Sequence, residues 1–376
     1  MSTANDAPRL PLRFFLAAAC LALNCAAASG PDARGGQFLG FKSLSGFEKS
    51  PGLEPHEIVL TSPVIVARIQ FNQLVASWNV TTSACLKVEA RAIYPAGPTK
   101  YYTLGSWSSD PARWPRESLP HQKDSDGDVL TDTLVLNRPA DRVQLRLTLA
   151  GPEATPPKIK FLALCLTDTN AAPPALPPNR AAWGRTIPVP LRSQMNYPNG
   201  KVLCSPTTVS MIMTYWARRL NRPELDHDVP EIVKAIYDFQ YKGTGNWPFN
   251  MAYAGSYPSL RAYITRFSDL SEVEDWIAAG LPVGLSVCSD RLHHRGPGPN
   301  GHLIVCVGLT EDGDPVVNDP GSAKNVRRIY PREDLIYAWA YSHNTVYLIY
   351  PEDSEIPADR FGHWDSWTAR LRKARE

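Results

Sequence analysis

Apolar and polar residues alternate along this chain with two different periods, and the change of period divides it. Upstream of about residue 170 the period is two. Leu86-Lys87-Val88-Glu89-Ala90-Arg91-Ala92 puts its apolar side chains on one face, and Val143-Gln144-Leu145-Arg146-Leu147-Thr148-Leu149 repeats the scheme, as half-buried strands do. Further strands are predicted over 57–61, 64–71, 74–80, 101–107, 129–136 and 159–166, separated by Pro, Gly, Asn and Asp turns. Short strands at such intervals predict an all-β antiparallel sandwich, jelly-roll-like, over 30–169. From 170 to 182 the chain reads N-A-A-P-P-A-L-P-P-N-R-A-A, whose two proline pairs favour extended backbone, so this stretch is read as a linker. Downstream the period becomes helical: Val209, Ile212, Met213 and Trp216 keep the i, i+3, i+4, i+7 spacing, with Pro206 in the first turn and Arg218 and Arg219 at the negative end of the dipole. An apolar strand over 301–309, a turn at 311–314 and a returning strand complete a mixed α+β pattern over 183–350. A charged tail occupies 351–376, with a short helix predicted near 364–373.

The first 29 residues read as a secretory signal: Arg9 and Arg13 lead, an apolar run follows from 14 to 23, and Ala26-Ala27-Ala28 offers small residues for cleavage. Asn24 interrupts that run short of a membrane span, and no other stretch is long enough to cross, so the expected location is secreted or periplasmic. With 39 basic against 37 acidic residues there is no long-range field to gather nucleic acid or an anionic membrane. Of seven cysteines, Cys20 and Cys25 would leave with the signal. Cys85, Cys165, Cys204, Cys288 and Cys306 would remain in an oxidising compartment. That number is odd, and the pairings Cys85 with Cys165 and Cys288 with Cys306 are both open.

The candidate chemistry lies in the second region. Cys204 sits where a helix begins, where unpaired N–H groups and the positive dipole end favour a thiolate; the alternative is a small buried cysteine. Gly301-His302 opens the apolar strand, and the hairpin returns Asp319 to nearly opposite His302. A carboxylate there can hold the imidazole tautomer while the other ring nitrogen takes a thiol proton. Gln194, ten residues before Cys204, is placed to donate to an oxyanion. The segment Gly243-Thr244-Gly245-Asn246-Trp247-Pro248-Phe249-Asn250 shows no helical or strand period and is read as a loop that either lines the cleft through Trp247 and Asn250 or folds onto the core. His293 and His294 have no acidic or cysteine partner at ligand spacing, so no metal is expected, and Asp124-Ser125-Asp126-Gly127-Asp128 reads as an acidic turn rather than a calcium loop. In the first region Trp78, Tyr101, Tyr102, Trp107 and Trp114 either form a platform for sugar rings or fill the core.

Several of these segments in order carry a resemblance: Val189-Pro190 through Gln194 to Cys204-Ser205-Pro206-Thr207-Thr208, Gly245-Asn246-Trp247-Pro248-Phe249-Asn250, Trp276-Ile277-Ala278-Ala279-Gly280-Leu281-Pro282-Val283, and Asn300-Gly301-His302 with Asn318-Asp319-Pro320. Over about 187–350 the chain resembles the peptidase family 39-like branch of the papain-like cysteine peptidases, and its first region is similar to the β-sandwich preceding that domain in secreted bacterial relatives. The resemblance implies a papain-like fold with Cys204 as nucleophile, His302 as general base and then acid, Asp319 as orienter and Gln194 as oxyanion donor. Ser205 departs from the glycine of many members, and the spacing from Gln194 to Cys204 is longer than in leader-processing enzymes. The implied function is a secreted cysteine peptidase acting on a peptide or protein, without cofactor. Two alternatives stand beside it: a cell-wall amidase or transamidase using the same site, and a non-catalytic protein that binds a glycan or cell-surface polymer through the β-sandwich.

Overall fold

A computed structural model describes residues 34–54, 57–80, 85–112, 114–151 and 158–366, so the expected signal peptide lies outside the described residues. The first region is built of β1 (Gly36–Phe41), β2 (Glu48–Pro51), β3 (Ile58–Thr61), β4 (Ile65–Val80), β5 (Cys85–Tyr94), β6 (Gly97–Pro98), β7 (Tyr102–Trp107), β8 (Gly127–Leu130), β9 (Thr133–Ala150) and β10 (Ile159–Thr167). It is mostly β, but the strands join in one branched sheet instead of two separate ones. The path runs β1-β10-β4-β9-β3-β2, with β5 and β8 also paired to β9. Two long strands explain this. The predicted strands 64–71 and 74–80 are one strand, β4, while the predicted strand 129–136 is split by a turn at 131–132 and its second half, 133–136, is continuous with 143–149 in β9. Register shifts between Val66 and Phe71 and between Phe71 and Gln73 mark irregularities in the β4–β9 pair, and such bulges bend a sheet without ending it. Thr131, with φ +63°, makes the tight turn between β8 and β9.

The second region contains α1 (Cys204–Leu220), α2 (Val229–Ile236), α3 (Trp247–Ala254), β11 (Leu260–Arg266), α4 (Leu270–Ala278), β12 (Val283–Cys288), α5 (Ser289–Leu292), β13 (Gly301–Leu309), β14 (Pro315–Asn318), β15 (Arg327–Ile329), α6 (Arg332–Trp339) and β16 (Thr345–Pro351). Its sheet runs β11-β16-β12-β13-β14-β15, antiparallel throughout, so the α+β class holds. The segment read as a loop over 243–250 ends in a helix, α3. Asn246 caps it by accepting the N–H of Phe249 at 3.2 Å, and Pro248 sits in the first turn, where a missing N–H costs nothing. The tail also differs from expectation: β17 (Trp364–Ser366) is a strand that pairs parallel to β1, and the rest of the predicted helix lies outside the described residues.

One continuous apolar core runs through both regions. Trp78, Tyr102 and Trp107 are buried in it, and the rings of Trp78 and Trp107 pack on Phe249 of α3, so these aromatics fill the junction and present no platform. β11 is an edge strand whose outer backbone groups are met by side chains of β4. Asn79 donates to the carbonyl of Ala262 at 2.7 Å and accepts its N–H at 3.1 Å, and Ser77 Oγ accepts the N–H of Ile264 at 2.9 Å. Arg116 is buried and donates to the carbonyls of Tyr237 and Lys234 at 2.9 and 2.7 Å, satisfying the end of α2. The acidic stretch from 124 to 128 is a turn: Asp124 Oδ1 accepts the N–H groups of Asp126 and Gly127 and the Tyr102 hydroxyl, and Lys100 pairs with Oδ2. All five described cysteines are free, so neither candidate disulfide is present. No helix among the described residues is long and apolar enough to cross a membrane.

Candidate active site

Cys204 is the first residue of α1 and half-buried. Leu203 before it offers no side-chain cap, so the opening N–H groups of the helix are left for other acceptors. His302 and the backbone N–H groups of Leu303 and Ser205 are the groups that act on the thiol. Burial alone would raise its pKa. The His302 bond and charge and the two backbone donors outweigh it, holding Cys204 below the ordinary thiol value. The structure thus places Cys204 and His302 in contact.

His302 is the second residue of β13 and is buried. Its Nε2 lies 2.7 Å from Asp319 Oδ1, which leaves Nδ1 to face the thiol. Burial opposes protonation of the ring, but the bonds from Asp319 and Cys204 overcome it and push His302 up to about 10. Asp319, just beyond β14, is buried, yet its bonds to His302, Tyr330 and Gly321 hold the carboxyl well below the usual range. Both shifts run toward a thiolate beside an imidazolium held by a carboxylate, the direction a cysteine nucleophile needs.

Two supports of Asp319 carry no periodic or motif signal in the sequence. Tyr330 Oη donates to Asp319 Oδ2 at 2.7 Å, and the Gly321 N–H donates to Oδ1 at 2.9 Å. A Cβ at Gly321 would stand 3.1 Å from His302 Cε1 and 3.2 Å from Asp319 Oδ1, so the absence of a side chain lets the loop close over the pair. The neighbouring Pro320 carbonyl accepts the Gln194 N–H at 2.9 Å, fastening the candidate oxyanion donor to the same loop. Gln194 is buried beside Cys204 in the cleft wall, and its Oε1 has no hydrogen-bond partner. Ser205, which stands where many members have glycine, has its hydroxyl buried against Tyr347 Oη at 2.8 Å.

These residues open into a cleft of about 1260 Å³. Trp247 lines it, half-buried, as the sequence reading allowed. Asn250 does not. It is fully buried and donates to the carbonyls of Thr244 and Asn246 at 3.0 and 2.8 Å, so it holds the loop before α3 and is withdrawn from the substrate side. The organiser of that loop is Asp238, whose carboxylate accepts the N–H groups of Gln240 and Tyr241, the Asn246 amide and, from the first region, the Ser118 N–H. The opposite wall comes from the first region as well: Leu130, Thr131 and Asp132 of the β8–β9 turn reach the cleft, and Asp132 accepts the Trp247 N–H at 2.7 Å. His293 lies in the same cleft, bonded to the Ser289 carbonyl at 2.8 Å and 3.4 Å from Tyr330 Oη, while His294 faces Asp334 at 3.1 Å.

Comparison with known proteins agrees with this architecture. Residues 58–166 match the model of the peptidase C39 N-terminal domain, and residues 186–347 match that of the peptidase C39-like family. Between them the two matches take in most of the chain. A crystal structure of a protein described as a C39-like peptidase from Bacillus anthracis is similar at 15% identity and a TM-score of 0.36, over 45% of this chain and 98% of that one. No curated protein matches. With both of its regions matched in order, the chain belongs to the C39-like peptidases and is a cysteine peptidase-like hydrolase.

Proposed function

We infer that this protein hydrolyses peptide or amide bonds of an extracytoplasmic substrate, with Cys204 as nucleophile. The observation that carries the reading is that His302, bonded to Asp319 at 2.7 Å, acts on the Cys204 thiol at the start of α1. The thiolate attacks the scissile carbonyl carbon, and the carbonyl oxygen becomes an oxyanion that accepts from the Gln194 side-chain amide and the Cys204 N–H at the helix start. His302 then gives its Nδ1 proton to the leaving amine. Water, deprotonated by the same nitrogen, releases the acyl group and restores the thiolate. Asp319 keeps the ring oriented throughout, fixed in turn by Tyr330 and Gly321. Export rests on the charged, apolar and small-residue order of the first 29 residues.

The test is hydrolysis of a mixed peptide pool by the purified protein, followed by mass spectrometry, with Cys204→Ala alongside. Cleavage by the wild type and none by Cys204→Ala is expected. Equal product from both proteins would overturn the reading. Adding an amine acceptor separates a transamidase, which would give a stable cross-linked product in place of free acid.

A further inference from the structure

Arg266, the last residue of β11, is 6% exposed, yet its guanidinium is poorly satisfied. Nε donates to Thr345 Oγ1 at 3.3 Å, whereas Nη1 is fully buried with no hydrogen-bond partner. No carboxylate lies in ion-pair range of it among the described residues. The Cys165 thiol and Asp132 are the acidic groups near it, and both oxygens of the carboxylate are taken, one by the Trp247 N–H and one by Thr133 Oγ1. A buried guanidinium short of partners costs stability unless something completes it.

The register shows where Arg266 stands relative to the chemistry. Arg266 lies opposite Thr345 on β16, and Ile264 lies opposite Tyr347. Two residues along a strand return to the same face, so Arg266 shares its face with Tyr347. Tyr347 Oη is bound to Ser205, the neighbour of Cys204. Arg266 accordingly lines the same cleft as Cys204, at the end where the first region supplies Gln73 and Thr133.

We propose that this end of the cleft is a carboxylate-recognition subsite, in which Arg266 pairs with an acidic group of the substrate peptide. The proposal rests on the reading that Cys204 is the nucleophile, and it adds the substrate class. A planar guanidinium fits a carboxylate through two parallel bonds, and Nη1 and Nη2 are the nitrogens left for them. The carboxylate belongs either to an aspartate or glutamate side chain near the scissile bond or to the peptide's own C-terminus.

The test compares matched peptides. One set carries Glu or Gln at each position flanking a cleaved bond, and the other ends in a free acid or an amide. Wild type is expected to prefer the acidic member of one pair by about tenfold in kcat/KM, as a charge-assisted bond allows. Arg266→Gln should bring that ratio to about one. A Glu-for-Gln preference identifies the side chain, and an acid-for-amide preference identifies the terminus. Equal ratios in wild type and Arg266→Gln overturn the proposal while leaving the Cys204 reading intact. If the wild type cleaves nothing, the Cys204 reading falls, and binding of the same peptide pairs to the wild type and to Arg266→Gln, followed by calorimetry, still decides the subsite. Should Arg266→Gln fail to fold, Arg266→Lys serves, because it keeps the charge and loses the paired geometry: a reduced acidic preference supports the subsite, and an unchanged one counts against it.

Discussion

Cys204 and Ser205 are adjacent, yet one side chain meets an imidazole and the other a phenol, and this divergence at the start of α1 sets what each contributes. The depressed thiol has a direct readout. Alkylation by iodoacetamide should set in below the roughly 8.5 of a free cysteine. His302→Ala should move that onset upward, since burial then acts with less to oppose it. The imidazolium partner is lost only as pH rises through about 10, so the reactive ion pair should persist from the lowered thiol pKa up to that value. Gln194→Ala should lower kcat by about a hundredfold or more while the alkylation onset stays put, because the proposed mechanism gives Gln194 the oxyanion and it is not among the groups acting on the thiol. Gly321→Ala pushes on both His302 and Asp319 at once and should slow turnover severalfold, measured as kcat, with little change in KM. Much of this was legible beforehand: Cys204 at a helix start and His302 at a strand mouth announce themselves by their neighbours in the chain. Tyr330 and Gly321 do not, since their roles depend on where one loop closes over another. The odd number of cysteines proved uninformative, because every described cysteine is a free thiol and parity singles out none of them.

At the level of elements, the strand pattern was readable where one face meets the core and the other meets polar surroundings, as in β5 and the second half of β9. It failed where both faces are covered. β1 is buried at all six positions and gives no alternation to read. Asn72 looks like a chain break in sequence but lies inside β4, whereas the strand predicted over 129–136 is broken by a true turn at Thr131. Asn250 was misplaced for a related reason. A polar residue in an apolar loop suggests a ligand contact, but in α3 it serves the backbone of the preceding turn. The β8–β9 turn is the element whose role was least visible, because it belongs to one region and borders the cleft of the other. Asp132, pushed up to about 6 by burial, binds the start of α3 there. Asp132→Ala should loosen Trp247 and raise KM, a change checked by steady-state kinetics.

For the whole molecule, the two periods correctly separated a mostly β region from an α+β one, but they carried no sign of how tightly the two adhere. Shared core, capped edge strand and buried Arg116 make the junction part of the fold. Arg116→Ala strands at least two carbonyls at the end of α2 and should cost about 3 kcal/mol or more in urea unfolding. Unfolding of the wild type should follow one transition by fluorescence and by loss of activity alike; two separated transitions would mean that the regions are energetically independent. The tail gives this cohesion a mechanical side. Strand β17 carries the chain from the second region back into the sheet of the first, beside β1, so the polypeptide crosses between regions once through the proline-rich connector and once through its tail. A protease that severs the connector would therefore leave two fragments, the second still holding β17 in the sheet of the first. Such a nicked molecule should run as two bands under denaturing conditions and as one particle in native gel filtration.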